Sequence, residues 1–377
     1  MSLETKTQTP TKKQRQAGFE LLRIIAMLLI VFIHLYYQGE YNTHTNNAFN
    51  QAAFNILHAL STFSVNVFIL ISAYFNVKVD GFKPRRLIRL WCETFFYCLT
   101  LYLVSVIVFH DEFRFIELIS CFFPIVCAKY WFFTAYFLLM LLAPFINKML
   151  NNCSLKECIL LVILIFALSY FAGRLPIDNR TELYNGLNLP WFICLYIIGG
   201  ILRLYPTNLK RRYWFIIGLA CVALLVGELY VKNHLPEIVT LLLFNEYNYT
   251  SPLVVILSVA TFMFFSDIDV KNEKVKKCIN FISASMFGVY LFHITERFMN
   301  HLFFDVLSIQ CFYDVSYNVL YVITFMFIIL AMGIVVDLVR RLIFYYFEKG
   351  IDGLINKAKE KRQNGTESQE TEKPENK

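Results

Sequence analysis

The chain has 377 residues, of which 57% are hydrophobic and 17% aromatic, with a mean hydropathy of +0.52 and a formal net charge of +7. That apolar share is far above the range of soluble domains and excludes a water-soluble globular enzyme. The surplus positive charge sits in short connections between apolar segments, so it reads as a topology signal, with no nucleic-acid partner implied.

A membrane-crossing helix needs about 20 mostly apolar residues. Ten segments meet or approach that length: 19–38, 54–76, 90–110, 129–147, 156–173, 190–205, 213–232, 251–266, 281–303 and 317–347. The expectation is an all-α integral membrane protein of about ten transmembrane helices, with a bilayer as its solvent. The apolar stretch Leu118–Cys127 is too short to span and reads as re-entrant or interfacial.

The first segment, FELLRIIAMLLIVFIHLYY, carries Glu20, Arg23 and His34. An ionisable group in hydrocarbon costs at least a few kcal/mol and is rare unless it faces a bundle interior or a polar cavity. Arg23 and His34 are eleven residues apart, about three helical turns or ~16 Å, so they share nearly one stripe. Glu20 lies one turn below Arg23, close enough to pair with it. Three polar groups along one face suggest a polar path through the membrane. The segment is too long for a signal-peptide h-region and lacks an A-x-A-like site, so it reads as a retained span.

Lys and Arg in the connections set the orientation. There are five in 78–89, four in 203–212, four in 271–277, and then Lys148 with Lys156. These four connections hold 15 in total, against 5 in the five that alternate with them. Lys12, Lys13 and Arg15 precede the first span, and Arg340 and Arg341 end the last. An even number of spans with both termini cytoplasmic satisfies every connection. The expected organisation is a cytoplasmic segment over 1–18, one membrane domain over 19–347, and a cytoplasmic tail over 348–377. The tail is polar and free of aromatics from Lys357 onward, and disorder is expected there. The ten cysteines are scattered without a C-x-x-C pair, so no metal site is expected. Cys121 with Cys127, or Cys311, is left open as an external pairing.

Arg-x10-His with an acidic residue three before the Arg resembles the acyltransferase 3 family of integral membrane acyltransferases. Further segments match its patterns in order. Ser72-Ala73-Tyr74 is similar to its Ser-Gly-aromatic motif, with Ala where the family favours Gly. Arg86-Leu87-Ile88-Arg89 is similar to its Arg-x-x-Arg loop. Tyr130-Trp131-Phe132 and Pro144-Phe145 resemble its fourth-span pattern, and Tyr290-Leu291-Phe292-His293 its late Tyr-Leu-x-His motif. The resemblance implies transfer of an acyl group, usually acetyl, from cytoplasmic acyl-CoA to a hydroxyl of a surface polysaccharide or lipid-linked saccharide. It places the chain in a bacterial plasma membrane, beside polysaccharide biosynthesis machinery, with acyl-CoA as a substrate and no tightly bound cofactor.

The residue chemistry suits that activity. A hydroxyl attacking a thioester needs a general base, and His34 is one whose ordinary pKa lies near neutrality. The planar fork of Arg23 suits a phosphate or the thioester oxyanion, and Glu20 can hold it in place. Arg85, Arg86 and Arg89, with Ser72 and Tyr74, are the expected acyl-CoA contacts. Trp131, Tyr290 and His293 are expected to line the channel or the acceptor side. Each has a plainer reading. Arg23 can snorkel to the interface, and the Arg85–Arg89 cluster can be topology charge alone. Trp131 can be a membrane-belt aromatic, and Ser72 and Tyr74 can simply pack helices. The rival class is a polytopic transporter or flippase using the Glu20, Arg23 and His34 stripe as a proton or substrate relay.

Overall fold

A computed structural model describes residues 16–45, 47–79, 81–172, 186–232, 235 and 248–370, with side chains as far as residue 349. Among the described residues every regular element is helical, with no strand. The helices in chain order are α1 Ala17–Tyr37, α2 Ala48–Ser61, α3 Ser64–Asn76, α4 Pro84–Ile107, α5 Phe115–Phe122, α6 Trp131–Asn152 and α7 Leu155–Ala172. They continue with α8 Leu189–Leu204, α9 Arg211–Lys232, α10 Pro252–Ser266, α11 Glu273–Ser283, α12 Met286–Ile294, α13 Glu296–Asn300, and α14 Asn318–Glu370 after a π-helical turn over His301–Val306.

Six stretches among the described residues are long and apolar enough to cross a membrane: Ala17–Tyr37, Ala48–Asn76, Pro84–Ile107, Trp131–Asn152, Glu273–Ile294 and Asn318–Lys349. The shorter α8 and α10 are also apolar. Helix covers each of the ten segments expected from the sequence, but the ends differ. The second begins at Ala48, where Asn47 accepts a hydrogen bond from the Asn50 amide as an N-cap. The ninth is not continuous. It breaks at Ala284–Ser285 and again at the extended Thr295, so a π-turn and two short helices replace its expected end. The last helix continues to Glu370, into the segment expected to be disordered, and 371–377 lie outside the described residues. Residues 118–127 form part of the short α5 and a turn.

Polar backbone in a bilayer must be satisfied internally, which is why helices carry the fold. The outer faces are apolar: Leu160, Ile163, Leu164 and Leu168 of α7 are exposed, as are Leu320, Phe327, Val335 and Leu342 of α14. The helix α1 is the centre of the bundle. It packs against α2, α3, α10, α11, α12 and α14, with Phe19, Leu22, Ala26, Val31, Phe32 and Leu35 fully or almost fully buried. Between α3 and α8 the backbones approach closely because Gly199 and Gly200 present no side chain to α3 and to Val77. All ten cysteines are free thiols. The buried Cys121 thiol faces the carbonyls of Glu117 and Cys98, so neither external pairing forms.

Candidate active site

Against one face of α1 lies a cavity of about 590 Å³. The helix contributes Glu20, Arg23, Met27, Ile30, Ile33 and His34, a sequence of three- and four-residue steps that follows one helical stripe. Fourteen residues separate its ends, so the cavity runs ~21 Å along the axis. The other walls are Val65, Phe68 and Ser72 of α3, Arg86, Leu90 and Glu93 of α4, and Trp131, Phe132 and Tyr136 of α6. The end of α11 and the start of α12 contribute Ser283, Ala284, Met286, Phe287 and Tyr290, and Leu187 and Tyr249 complete the lining. The helix directions place Arg86, Ser72 and Tyr136 at the Glu20 end, and Trp131 and Tyr249 at the His34 end.

At the first end, Arg23 Nη1 donates to Glu20 Oε1 at 2.6 Å. The Glu20 side chain is almost wholly buried and that of Arg23 is about a quarter exposed, at 5% and 27%. The carboxylate therefore fixes one edge of the guanidinium, and Arg23 still lines the cavity with its remaining donors. Opposite it, Ser72 Oγ and the Tyr136 hydroxyl lie 3.1 Å apart, and Arg86 donates to that hydroxyl at 3.3 Å and to Asn76 Oδ1 at 2.8 Å.

At the other end the two imidazoles meet. His293 Nδ1 is 2.6 Å from the Val289 carbonyl oxygen, and His34 Nδ1 is 2.9 Å from that of Ile30. Each Nδ1 must therefore carry the proton, since a lone pair facing a carbonyl oxygen would be repelled. His293 Nε2 is then an acceptor, and it sits 3.2 Å from His34 Nδ1. In neutral His34 this leaves Nε2 as the unprotonated nitrogen. His34 lines the cavity, while His293 is fully buried behind it.

Of the residues expected from the sequence, the cavity brings together Glu20, Arg23, His34, Ser72, Arg86, Trp131 and Tyr290. His293 touches the site only through His34. Arg85 and Arg89 are exposed and lie outside the lining. Tyr74 faces the opposite side of α3, where Arg203 donates to its hydroxyl at 2.9 Å and its ring packs on Phe19 and Phe262. Two residues apart on a helix cannot share a face, so Ser72 and Tyr74 are split between the cavity and the packing behind it.

Sequence reasoning passed over Glu93 and Tyr136. Glu93 is held by Arg340 Nη2 at 2.9 Å, and Arg340 with Arg341 also pairs with the fully buried Asp337 at 2.8 and 2.7 Å. The rule that singled out Glu20, a carboxylate within an apolar span, applies equally to Glu93. Tyr136 has no comparable signal, being one aromatic among many. Tyr290 lines the cavity, and its hydroxyl is buried against the backbone of Phe132 and Phe133.

The family model described as an acyltransferase domain, of the acyltransferase 3 type, matches residues 16–338. No curated protein and no solved structure matches the chain.

Proposed function

The chain belongs to the acyltransferase 3 family of multi-pass membrane acyltransferases, and on that premise we propose that it moves a short acyl group, acetyl first, from acyl-CoA to a hydroxyl of a cell-surface polysaccharide or its lipid-linked precursor. The observation that carries this reading is the His34 and His293 pair. A base whose Nδ1 proton is tied down behind it, and whose residue lines an otherwise largely apolar cavity, is suited to take a proton from an incoming hydroxyl.

In the proposed step the acceptor hydroxyl gives its proton to His34 Nε2 as its oxygen attacks the thioester carbonyl. The tetrahedral oxyanion collapses, the carbon–sulfur bond breaks, and the leaving thiolate recovers the proton from His34. The products are the ester and the free thiol of coenzyme A. Arg23 is ~16 Å along the helix from His34, too far to hold the same carbonyl. Its proposed role is the donor's diphosphate, leaving the apolar stretch of Met27, Ile30, Val65 and Phe68 for the extended thiol arm.

The proposed setting is a bacterial plasma membrane with ten spans and both termini in the cytoplasm. The basic connections 78–89, 203–212 and 271–277 then face the donor, and the acceptor enters near Trp131 and Tyr249. Asn46, Tyr184 and Tyr247, in the sparsely basic connections whose amides and aromatic rings would suit a sugar on that side, lie outside the described residues. The test is purified protein in detergent with labelled acetyl-CoA and isolated surface glycan. Base-labile label should appear in the glycan with wild-type protein and vanish with His34→Ala. Its absence with folded wild-type protein would sink the proposal.

A further inference from the structure

Two more hollows continue from the Arg86 end of the main cavity. A narrow one of about 40 Å³ is bounded by Asn76, Lys83, Arg86, Met140 and Asn147 among others. A wide one of about 570 Å³ is bounded by Lys78, Phe145, Lys148, Asn151 and Asn152. The narrow hollow shares Arg86 with the main cavity, and Val79, Gly81, Pro144 and Asn147 with the wide one. One face of α6 runs past all three: Tyr136 borders the main cavity, Met140 the neck, Asn147 neck and basin, and Asn151 the basin. Steps of four, seven and four residues keep these on one stripe of a 3.6-residue helix. The three spaces therefore adjoin one another in a row along α6.

We propose that the basin between the α3–α4 connection and the end of α6 binds the 3′-phosphoadenosine end of the acyl-CoA donor, with Arg86 at the neck between it and the cavity where Arg23 meets the diphosphate and His34 the thioester. The inference rests on the acyl-CoA reading above and adds where the nucleotide is held. The basin's volume falls in the range of small-molecule sites. Lys78, just after α3, and Lys148, on α6, both line it and are exposed, and neither has an ion pair among the described residues. Two unpaired ammonium groups facing one hollow suit a ligand with more than one phosphate. Phe145, 73% exposed, offers a flat apolar face to a base.

The carboxamides beside them brace the walls. Asn147 Nδ2 donates to the carbonyls of Asn76 and Val79 at 2.8 and 3.2 Å, and its Oδ1 accepts from Tyr196 at 2.9 Å. Asn151 Nδ2 donates to the carbonyl of Val77 at 3.1 Å. The connection after α3 is thereby pinned to α6, and the hollow is kept open by bonds within the protein.

The test uses the full chain in detergent, with adenosine 3′,5′-bisphosphate as the binding probe and two donors, acetyl-CoA and S-acetylpantetheine, which lacks the nucleotide. Calorimetry should show the bisphosphate binding to wild type. In Lys78→Gln/Lys148→Gln it should bind about ten-fold more weakly or worse, as loss of charge-assisted contacts implies. The ratio of kcat/KM on acetyl-CoA to that on S-acetylpantetheine should fall by a similar factor. Unchanged bisphosphate affinity, or an equal fall on both donors, overturns the proposal. So does a variant effect seen only when phosphatidylglycerol is present, which would make the basin a lipid-headgroup site. If wild type uses neither donor yet binds the bisphosphate, the acyl-transfer reading falls and the nucleotide site stands.

Discussion

His293 Nε2 lies 3.2 Å from His34 Nδ1, joining two residues 259 positions apart in the chain. The bond gives the two imidazoles unequal tasks. On the proposed reading His34 meets the substrate, and His293 sets its tautomer and ring orientation. A general base contributes about 10²–10⁴-fold in rate, so His34→Ala should lose that much acyl transfer while accumulating normally in the membrane. His293→Leu should lose about 10–100-fold, as partners behind a working group typically do, through kcat with the donor KM unchanged. His293→Gln keeps an acceptor within reach and should recover part of the loss. Near-normal transfer in His34→Ala removes the base assignment. Equal losses in the Leu and Gln variants would reduce His293 to packing.

Arg23 is predicted to need its fork. Lys at this position keeps the charge and can still pair with Glu20, but cannot hold a phosphate in two parallel bonds. Arg23→Lys should lower kcat/KM about 10–100-fold, the range for charge-assisted hydrogen bonds. Wild-type kinetics in this variant would mean that Arg23 only snorkels.

Arg86 and Arg89 should separate. Arg86 lines both the main cavity and its neck, whereas Arg89 borders neither. Arg86→Gln should raise the KM for acetyl-CoA more than the KM for the acceptor, and Arg89→Gln should leave both near wild type. Removing inside charge can disturb insertion, so cysteine-accessibility labelling must first show unchanged orientation. Matching KM changes in the two variants would return the cluster to a topology signal.

Gly199 is predicted to be indispensable to the seating of α3. A Cβ there would stand 2.7 Å from that of Ala73 and 2.8 Å from the Leu70 carbonyl oxygen. Gly199→Ala should cost about 1–3 kcal/mol, the usual price of overpacking, and be seen as a lower melting temperature in detergent. Adding Ala73→Gly relieves one of the two clashes and should restore only part. The family's preference for Gly at position 73 is met here from the other side of the interface. A melting temperature unchanged in Gly199→Ala would show that the helices can separate freely.

At the far end of α4, His301 Nε2 is 3.1 Å from Asp111, its Nδ1 contacts Asp305, and Phe109 stacks on the ring. Partial burial works against the charged ring, but hydrogen bonds and charge from Asp305 and Asp111 outweigh it and move the pKa up from its ordinary value. A raised folded-state value makes protonation favour the folded state. That contribution is fully present below the unfolded-state pKa, about 6.5, and is lost as pH rises through the raised value. Wild-type melting temperature should therefore fall across that window more than that of His301→Asn. Parallel pH profiles for the two proteins would remove His301 as the cause.

The positions of the spans were legible because run length and composition suffice to find apolar helices. The stripe of Glu20, Arg23 and His34 was legible because a single helix repeats every 3.6 residues. What stayed hidden involved a second helix or a choice of face. Nothing local links His34 to His293. On α4 the cavity face is Arg86, Leu90 and Glu93, at steps of four and three, and the adjoining stripe of Arg85 and Arg89 misses it. Counting basic residues in the connection could not make that distinction, but reading its helical phase from Pro84 would have. Ser72 of the second span and Tyr290 of the ninth, both expected at the site, line the cavity. Arg86 of α4 and Trp131 of α6 were expected at the site, but the order of the helices around α1 was not legible, because it is set by packing between helices.

The ~21 Å from Glu20 to His34 covers most of a hydrocarbon layer about 30 Å thick. On the proposed reading, the acyl group crosses that distance at the tip of a carrier whose charged end stays behind. The reaction is then vectorial. The spent thiol withdraws the way it entered, the ester departs on the other side, and thioester hydrolysis energy drives export of the acyl group with no separate pump. Chemical coupling and directional movement would be one event, set by the length of a single helix.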